Sequence, residues 1–190
     1  MSFNLAIFAS GNGTNAENIA LYFRNHSQIR VSLILVNRPD AYVLERARKL
    51  GIPFEVFNRK QFYESEDLLD ILSHYHIDYL VLAGFLWLIP DYVLKAYPDR
   101  MCNIHPALLP KYGGKGMYGD KVHQAVRDSG DSITGITVHL VNERYDEGRI
   151  LFQATCPIVP EDSPETIAQK VHKLEYEHYP KIIEDWILKT

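Results

Sequence analysis

Residues 5–15 read LAIFASGNGTN, an apolar run followed by a turn rich in glycine. The run Leu5–Ala9 predicts a buried strand, and the pattern after the turn predicts a helix near Asn15–Asn25. A glycine-rich turn between a strand and a helix allows backbone N–H groups and the positive helix end to hold an anion, typically a phosphate. The candidate anion-binding residues are Gly11, Asn12, Gly13, Thr14 and Asn15.

The same alternation of short apolar runs with helical patterns continues through the first two-thirds of the chain. Nearly continuous apolar strands between helices indicate an α/β fold, with an open, mostly parallel Rossmann-like sheet and helices on both faces. The predicted strands are Leu5–Ala9, Val31–Val36, Phe54–Phe57, Tyr79–Ala83 and Met101–Ile104. The predicted helices are Asn15–Asn25, Ala41–Leu50, Glu64–His74 and Asp91–Ala96.

The pattern changes after residue 106. A loop rich in glycine and lysine, Lys111–Gly119, leads to a predicted short helix at Lys121–Asp128. Alternating residues over 136–141 and a return over Ile150–Pro157 then predict an antiparallel C-terminal hairpin. A final helix is expected to begin at Ser163-Pro164-Glu165 and to be kinked or broken at Pro180.

Length and composition favour one globular domain of 190 residues, with halves 1–105 and 106–190 that no flexible linker separates. The net charge of −4 gives no basic footprint for nucleic acid or an anionic membrane. The two cysteines and the N-terminal run, too short for a signal peptide, favour a cytoplasmic protein. No metal-ligand pattern is found, and the chain is expected to be a monomer or homodimer.

Asn103 and His105 are two residues apart on a predicted strand, so their side chains share one face, and Pro106 ends the strand. They would lie at a carboxyl end, where open α/β sheets place their ligands. A histidine can move a proton near neutral pH, and an amide can donate to a developing oxyanion. A buried histidine bonded to backbone beside an asparagine that closes a turn fits the same pattern.

Asp146 lies in the predicted hairpin turn Tyr145–Gly148, where aspartate and glycine are favoured for conformational reasons alone. If the turn folds over the carboxyl edge of the sheet, the carboxylate would raise the pKa of His105 and favour its charged form. His123 and His139 are close enough in sequence to the glycine loop and the hairpin to line the same cleft.

The run Asn103–Pro106, continued by Leu108-Leu109-Pro110 and joined by Asp146, resembles the signature of the folate-dependent formyltransferases. The resemblance extends over essentially the whole chain. The turn over residues 10–15 is similar to the branch of that family whose formyl acceptor is glycinamide ribonucleotide. The resemblance implies transfer of the formyl group of 10-formyltetrahydrofolate, a cosubstrate, to the amine of that ribonucleotide in de novo purine (IMP) biosynthesis.

Residue roles follow from the same resemblance. It implies that Asn103, His105 and Asp146 surround the formyl carbon, with protonated His105 stabilising the oxyanion. The glycine turn of the first half would hold the substrate phosphate, and His172 and Glu175 would bind the ribose. The folate would lie against the second half and a segment of the first, mainly through backbone contacts with the pterin. The implied folate-binding residues are Phe85, Leu86, Trp87, Leu88, Ile89, Val141, Asn142 and Tyr145.

Two features differ from the family pattern. Trp87 stands where relatives often carry a basic residue, and the stretch Gly113–Gly119 differs in length and composition. We interpret that stretch as a lid.

Two other enzyme classes fit part of the sequence. An NADP-dependent reductase would use the loose Gly11-x-Gly13-x-x-Ala16 fingerprint, with Arg38 on the 2′-phosphate, but this explains only the glycine turn. A formyltetrahydrofolate deformylase would share the catalytic set and pass the formyl group to water. Deformylases usually carry an N-terminal regulatory domain and lack the phosphate turn, whereas this sequence has the turn.

Overall fold

The computed structural model describes residues 2–189, and its helices and strands follow one another in α/β order. Two compact units divide the chain between Cys102 and Asn103. The strands are β1 Phe3–Ala9, β2 Ile29–Val36, β3 Phe54–Val56, β4 Tyr79–Leu82, β5 Met101–His105, β6 Ile133–Leu140 and β7 Ile150–Pro157. The helices are α1 Thr14–Tyr22, α2 Val43–Leu50, α3 Arg59–Glu64, α4 Asp67–His74, α5 Asp91–Ala96, α6 Asp120–Ser129 and α7 Pro164–Lys189.

The first unit is built on parallel strands in the order β3-β2-β1-β4. The apolar residues Leu5–Ala9 of β1 are buried, as expected of a strand with neighbours on both sides. Register pairs Ala9 with Val36 and Phe8 with Leu82, so the carboxyl ends of β1, β2 and β4 share one edge. The chain passes from β1 to β2 and β3 on one side and then places β4 on the other side of β1, which makes this edge the kind of switch point where α/β sheets bind ligands.

The helical content between β3 and β4 differs from the prediction of a single helix over Glu64–His74. Two helices occupy this region, because Ser65 takes an extended backbone conformation that ends α3. The start of α3 is fixed by a capping box, in which Asn58 Oδ1 accepts from the Gln61 N–H and the Gln61 side chain accepts from the Asn58 N–H, both at 3.0 Å. The prediction missed α3 and began α4 too early.

The second unit contains α6, the antiparallel hairpin of β6 and β7, and α7, which packs on α6 and on both strands. The hairpin is confirmed, with Ile136 opposite Ala154. Gly135 allows the close approach of the two strands, because a Cβ there would lie 1.9 Å from the Ala154 carbonyl oxygen. The predicted N-cap of α7 is also confirmed, since Ser163 Oγ accepts from the Thr166 N–H at 3.2 Å.

Of the kink or break predicted at Pro180, the break does not occur. The helix α7 runs without interruption from Pro164 to Lys189, with Pro180 inside it. Tyr179 and Ile183 on either side are fully buried. Their packing offsets the single backbone hydrogen bond that a proline removes.

Candidate active site

Four polar side chains of the second unit meet around Asp146. Asn103 Nδ2 donates to His139 Nε2 at 3.2 Å, and His139 Nε2 lies 3.5 Å from Asp146 Oδ1. On the other side, His105 Nδ1 lies 3.5 Å from Asp146 Oδ2. The strand alternation that placed Asn103 and His105 on one face, and the approach of the hairpin loop to them, are therefore present in the structure.

The two ring nitrogens of His105 have different surroundings. Nε2 donates to the carbonyl oxygen of Tyr112 at 2.7 Å, which leaves Nδ1 facing Asp146. Burial lowers the pKa of His105, and the Asp146 carboxylate and the Tyr112 carbonyl raise it by less than burial lowers it. The expected effect of Asp146, which raises the pKa of His105, is therefore present, but burial exceeds it, because removing the imidazolium from water costs more than the carboxylate returns.

Asp146 is held as a carboxylate. Burial alone would raise its pKa, but the neighbouring His139 and His105 side chains and the Gly114 N–H together lower it. The Gly114 N–H donates to Oδ2 at 2.9 Å. Asp146 also has a left-handed backbone, with φ of 59°, which is uncommon for a residue with a side chain. Strain of this kind is frequent where a side chain must point at a reacting group.

The start of the glycine-rich loop is bonded directly into this cluster. The Tyr112 carbonyl and the Gly114 N–H contact His105 and Asp146 respectively. The Tyr112 hydroxyl is anchored in turn by Ser129 Oγ at 2.6 Å and by Asp131 Oδ2 at 2.7 Å. The part of the loop next to the cluster is thus held by hydrogen bonds of both its backbone and the Tyr112 side chain.

His139 is the member of the cluster that the site prediction left out. It is buried on β6, and its Nδ1 donates to the Leu140 carbonyl oxygen at 2.8 Å. Its Nε2 is thereby directed at Asn103 and Asp146. A histidine within an apolar alternating strand was visible in the sequence, but its cross-strand neighbour was not.

A second polar group lies on α7 and α6. Glu175 is 4% exposed and accepts a hydrogen bond from His172 Nδ1 at 2.8 Å, which raises the pKa of His172. His123 lies edge-on to His172, with ring centroids 6.5 Å apart. Its buried Nδ1 has no hydrogen-bond partner among residues 2–189, and burial lowers its pKa. Glu175 also raises the pKa of His105, so this group is electrostatically linked to the cluster.

The glycine turn of the first unit has the geometry of an anion site. Gly13 is the N-cap of α1 in the left-handed conformation, with φ of 77°, and Thr14 is the first helical residue. The first N–H groups of a helix have no partner inside it and carry its positive end. The turn is held by the Val43 N–H, which donates to the Gly11 carbonyl oxygen at 3.1 Å.

The predicted folate segment 85–89 starts beside this turn. The Leu86 N–H donates to Ser10 Oγ and the Ser10 N–H to the Gly84 carbonyl oxygen, both at 3.1 Å. Phe85 and Ile89 are buried, so only backbone and the side chains between them reach the surface. Trp87 belongs to an aromatic group, with its ring 5.5 Å from that of Phe62.

The remaining predicted folate residues lie in the second unit, in the loop that joins β6 to β7. Asn142 shapes this loop by accepting the Arg144 N–H on Oδ1 at 3.0 Å. The predicted site residues therefore form two sets, one in each unit: the glycine turn with residues 85–89, and the Asp146 cluster with the hairpin loop and α7.

No group of three or more histidine, cysteine or acidic residues within residues 2–189 could hold a metal ion. No helix in that range has the length and apolar character needed to span a membrane.

Comparison with known proteins identifies the class. The family model described as formyl transferase matches residues 3–183, and the chain belongs to that family. Within it, the chain is similar to proteins named phosphoribosylglycinamide formyltransferase. It is 42% identical over 185 residues to the chloroplastic protein of Arabidopsis thaliana, covering 94% of this chain and 63% of the relative. The Bacillus subtilis protein of that name is 38% identical over 183 residues, covering 94% and 91%.

Solved structures of proteins with corresponding names resemble this chain as well. Glycinamide ribonucleotide transformylase 1 from Symbiobacterium toebii matches with a TM-score of 0.87 and 32% identity, over 96% of this chain and 86% of that one. This likeness confirms the predicted Rossmann-like α/β fold with its antiparallel hairpin. The chain spans about three-fifths of the length of two plant relatives, at 63% and 59%.

Proposed function

We propose that this chain is an enzyme that transfers the formyl group of 10-formyltetrahydrofolate to the amine of glycinamide ribonucleotide, in purine biosynthesis. The observation that carries the proposal is the cluster in which His105 lies 3.5 Å from Asp146 and Asn103 is joined to Asp146 through His139, so that an amide donor, an imidazole and a carboxylate lie close together. Formyl transfer to an amine needs these groups, because an oxyanion forms on the formyl carbon and a proton must leave the attacking nitrogen. Three relatives named phosphoribosylglycinamide formyltransferase are 36–42% identical to this chain.

In the proposed reaction the substrate amine attacks the formyl carbon, and a new C–N bond forms as the carbonyl oxygen becomes an oxyanion. Asn103 Nδ2 donates to that oxygen. The lowered pKa of His105 makes its neutral form the resting one, able to take up positive charge as the intermediate develops. Asp146 stabilises the imidazolium. The bond between the formyl carbon and the folate nitrogen then breaks, the oxyanion returns to a carbonyl, and the folate nitrogen receives the proton that the attacking amine gives up, carried by Asp146, His105 or a water molecule.

The substrate phosphate is assigned to the turn Gly11–Asn15 at the start of α1, where backbone donors and the helix dipole favour an anion. The ribose is assigned to Glu175, whose buried carboxylate is oriented by His172. A carboxylate that accepts two hydroxyl protons is a common way to bind a ribose.

The folate cosubstrate is assigned to residues 85–89 and to Val141, Asn142 and Tyr145. The burial of Phe85 and Ile89 supports folate binding through the backbone of this segment, because these two side chains are packed in the core and not available to a ligand. No step of the proposal uses a metal. We further propose a cytoplasmic protein that acts as a monomer or homodimer on small molecules.

One contact disfavours the NADP-dependent alternative. The Arg38 guanidinium donates to both carboxylate oxygens of Asp40, at 3.2 and 2.8 Å, and this raises the pKa of Arg38. A guanidinium whose Nε–Nη2 edge is already paired with its own neighbour is less available to a 2′-phosphate. The deformylase alternative keeps the same catalytic cluster and is separated by experiment.

The test follows the absorbance change on release of the formyl group from 10-formyltetrahydrofolate, with and without glycinamide ribonucleotide. Turnover that requires the ribonucleotide, and that His105→Ala reduces at least about a hundredfold, supports the proposal. The matched control is His74→Ala, an exposed histidine on α4, which should retain full activity. Turnover without acceptor would instead assign the chain as a hydrolase.

A further inference from the structure

Arg46 of α2 reaches across to the glycine turn and bonds to it at two atoms. Its Nε donates to the Asn12 carbonyl oxygen at 2.9 Å, and its Nη2 donates to Asn12 Oδ1 at 2.6 Å. Its Nη1 forms an ion pair with the Glu17 carboxylate of α1. The Arg46 side chain is only 19% exposed and its guanidinium carbon lies 5.1 Å from the centre of the Tyr42 ring. These contacts hold the arginine in one geometry.

The first consequence concerns the shape of the turn. Asn12 lies between Gly11 and Gly13, two residues that allow the backbone wide freedom. Arg46 fixes Asn12, and the Val43 N–H fixes the Gly11 carbonyl at 3.1 Å, so α2 holds the turn at two neighbouring residues. The arginine also determines the direction of the Asn12 amide. Because Oδ1 accepts from the guanidinium, the opposite end of the amide is the NH2 donor, and donors are what a phosphate requires.

The second consequence concerns charge. Glu17 lies in the first turn of α1, at the end of the helix that would receive the phosphate. A lone carboxylate there would repel a dianion. The Arg46 guanidinium neutralises it, so the positive end of the helix and the N–H groups act on the phosphate without an opposing charge.

We propose that Arg46 is a positioning residue for the substrate phosphate. It fixes the Asn12 amide with its donor end available and cancels the charge of Glu17, without itself touching the phosphate. This inference rests on the proposed phosphate role of residues 11–15. Lysine cannot replace the arginine fully, because a single ammonium cannot contact the carbonyl, the amide oxygen and the carboxylate in the fixed fork of a guanidinium.

The experiment measures the Kd of glycinamide ribonucleotide by titration calorimetry, which does not require turnover, together with steady-state constants for both substrates. Arg46→Met should raise the Kd at least about tenfold while the KM for folate stays within about twofold, because its contacts are confined to the turn and α1. Arg46→Lys should fall between Arg46→Met and the parent protein. Arg48→Met is the matched control: Arg48 lies on the same helix but pairs with Glu45, and its loss should change neither constant.

Two further arms separate positioning from a general structural role. In Arg46→Met/Glu17→Gln the unpaired carboxylate is removed, so part of the lost affinity should return. With glycinamide riboside, which lacks the phosphate, Arg46→Met and the parent protein should bind alike.

Three results would overturn the inference. A Kd for Arg46→Met within twofold of the parent value would do so, as would an equal loss of affinity for the riboside. A double variant no better than Arg46→Met would refute the charge argument. Ribonucleotide-dependent turnover by the parent protein tests the proposed function separately, so the enzyme assignment can stand while the role of Arg46 fails.

Discussion

Alanine at Gly13 would add one methyl group at a constrained point of the phosphate turn. The backbone there is left-handed, with φ of 77°, and the new Cβ would lie 2.3 Å from Val43 Cγ2 and 3.0 Å from Val43 Cα. Val43 has little room to move, because it is buried and its N–H is bonded to the Gly11 carbonyl. Both the backbone conformation and the packing therefore oppose Gly13→Ala.

The two costs can be estimated separately. A side chain in the left-handed region costs about 1–2 kcal/mol, and overpacking of a tight contact costs about 1–3 kcal/mol. The free energy of unfolding should therefore fall by about 2–5 kcal/mol. For a chain of 190 residues each kcal/mol lowers the midpoint by about 2–4 °C, so the expected loss in Tm is about 4–20 °C. The Kd of the ribonucleotide should rise as well, because the turn must move.

Thermal unfolding followed by circular dichroism measures the change. Gly11→Ala is the matched control for stability: its Cβ would meet nothing within 4 Å, so its Tm should stay within about 1–2 °C. Val43→Ala should not rescue Gly13→Ala, because the Val43 Cβ itself lies 2.5 Å from the added methyl position. Equal Tm values for the two glycine variants would show that neither the backbone conformation of Gly13 nor its contact with Val43 opposes alanine there.

Three further predictions concern the second unit. Asn103→Ala should lower kcat about 10²–10³-fold with the fold retained, as measured by steady-state kinetics and circular dichroism, because it removes one donor to the oxyanion; an unchanged kcat would remove Asn103 from the site. Asp146→Asn should lower the pKa of His105 further, because the carboxylate opposes the effect of burial; an upward shift of the ring-proton titration in NMR spectra would contradict this. Burial lowers the pKa of His123 below its ordinary value of 6.5. Below about pH 6.5 the unfolded chain therefore binds a proton that the folded chain does not. The contribution of His123 to the free energy of unfolding is fully present above that pH and falls as the pH is lowered. In His123→Gln the fall in Tm between about pH 7 and pH 5 should be smaller, and an unchanged slope would refute this assignment.

Local patterns were sufficient to predict much of the fold. The apolar runs of β1, β2 and β4 identify buried parallel strands, and the glycine turn marks where the first helix begins. The capping box that begins at Asn58 is a sequence signal for α3, but a helix of six residues with Phe62 as its buried residue gives no clear hydrophobic periodicity. The uninterrupted course of α7 through Pro180 was not readable, because it depends on what the neighbouring side chains pack against.

In the candidate site, too, some features follow from local sequence patterns and others depend on the folded structure. Two-residue spacing on one strand was enough to place Asn103 and His105 together. The contact of His139 with Asn103 depends on how the strands pair, which local spacing does not show. The hydrogen bonds of Arg46 to Asn12 join residues 34 apart in sequence, so local spacing does not show them either. The lowered pKa of His105 depends on the balance of burial against the Asp146 charge, which only the folded structure defines.

The fate of a labelled formyl group distinguishes transfer to the ribonucleotide from hydrolysis in one reaction. The protein is incubated with glycinamide ribonucleotide and 10-formyltetrahydrofolate carrying ¹³C in the formyl group, and the products are identified by NMR and mass spectrometry. The label should appear on the amine of the ribonucleotide, as its N-formyl derivative, at a rate that Asn103→Ala and Asp146→Asn greatly reduce. Label recovered as formate, at the same rate with or without the ribonucleotide, would contradict this prediction.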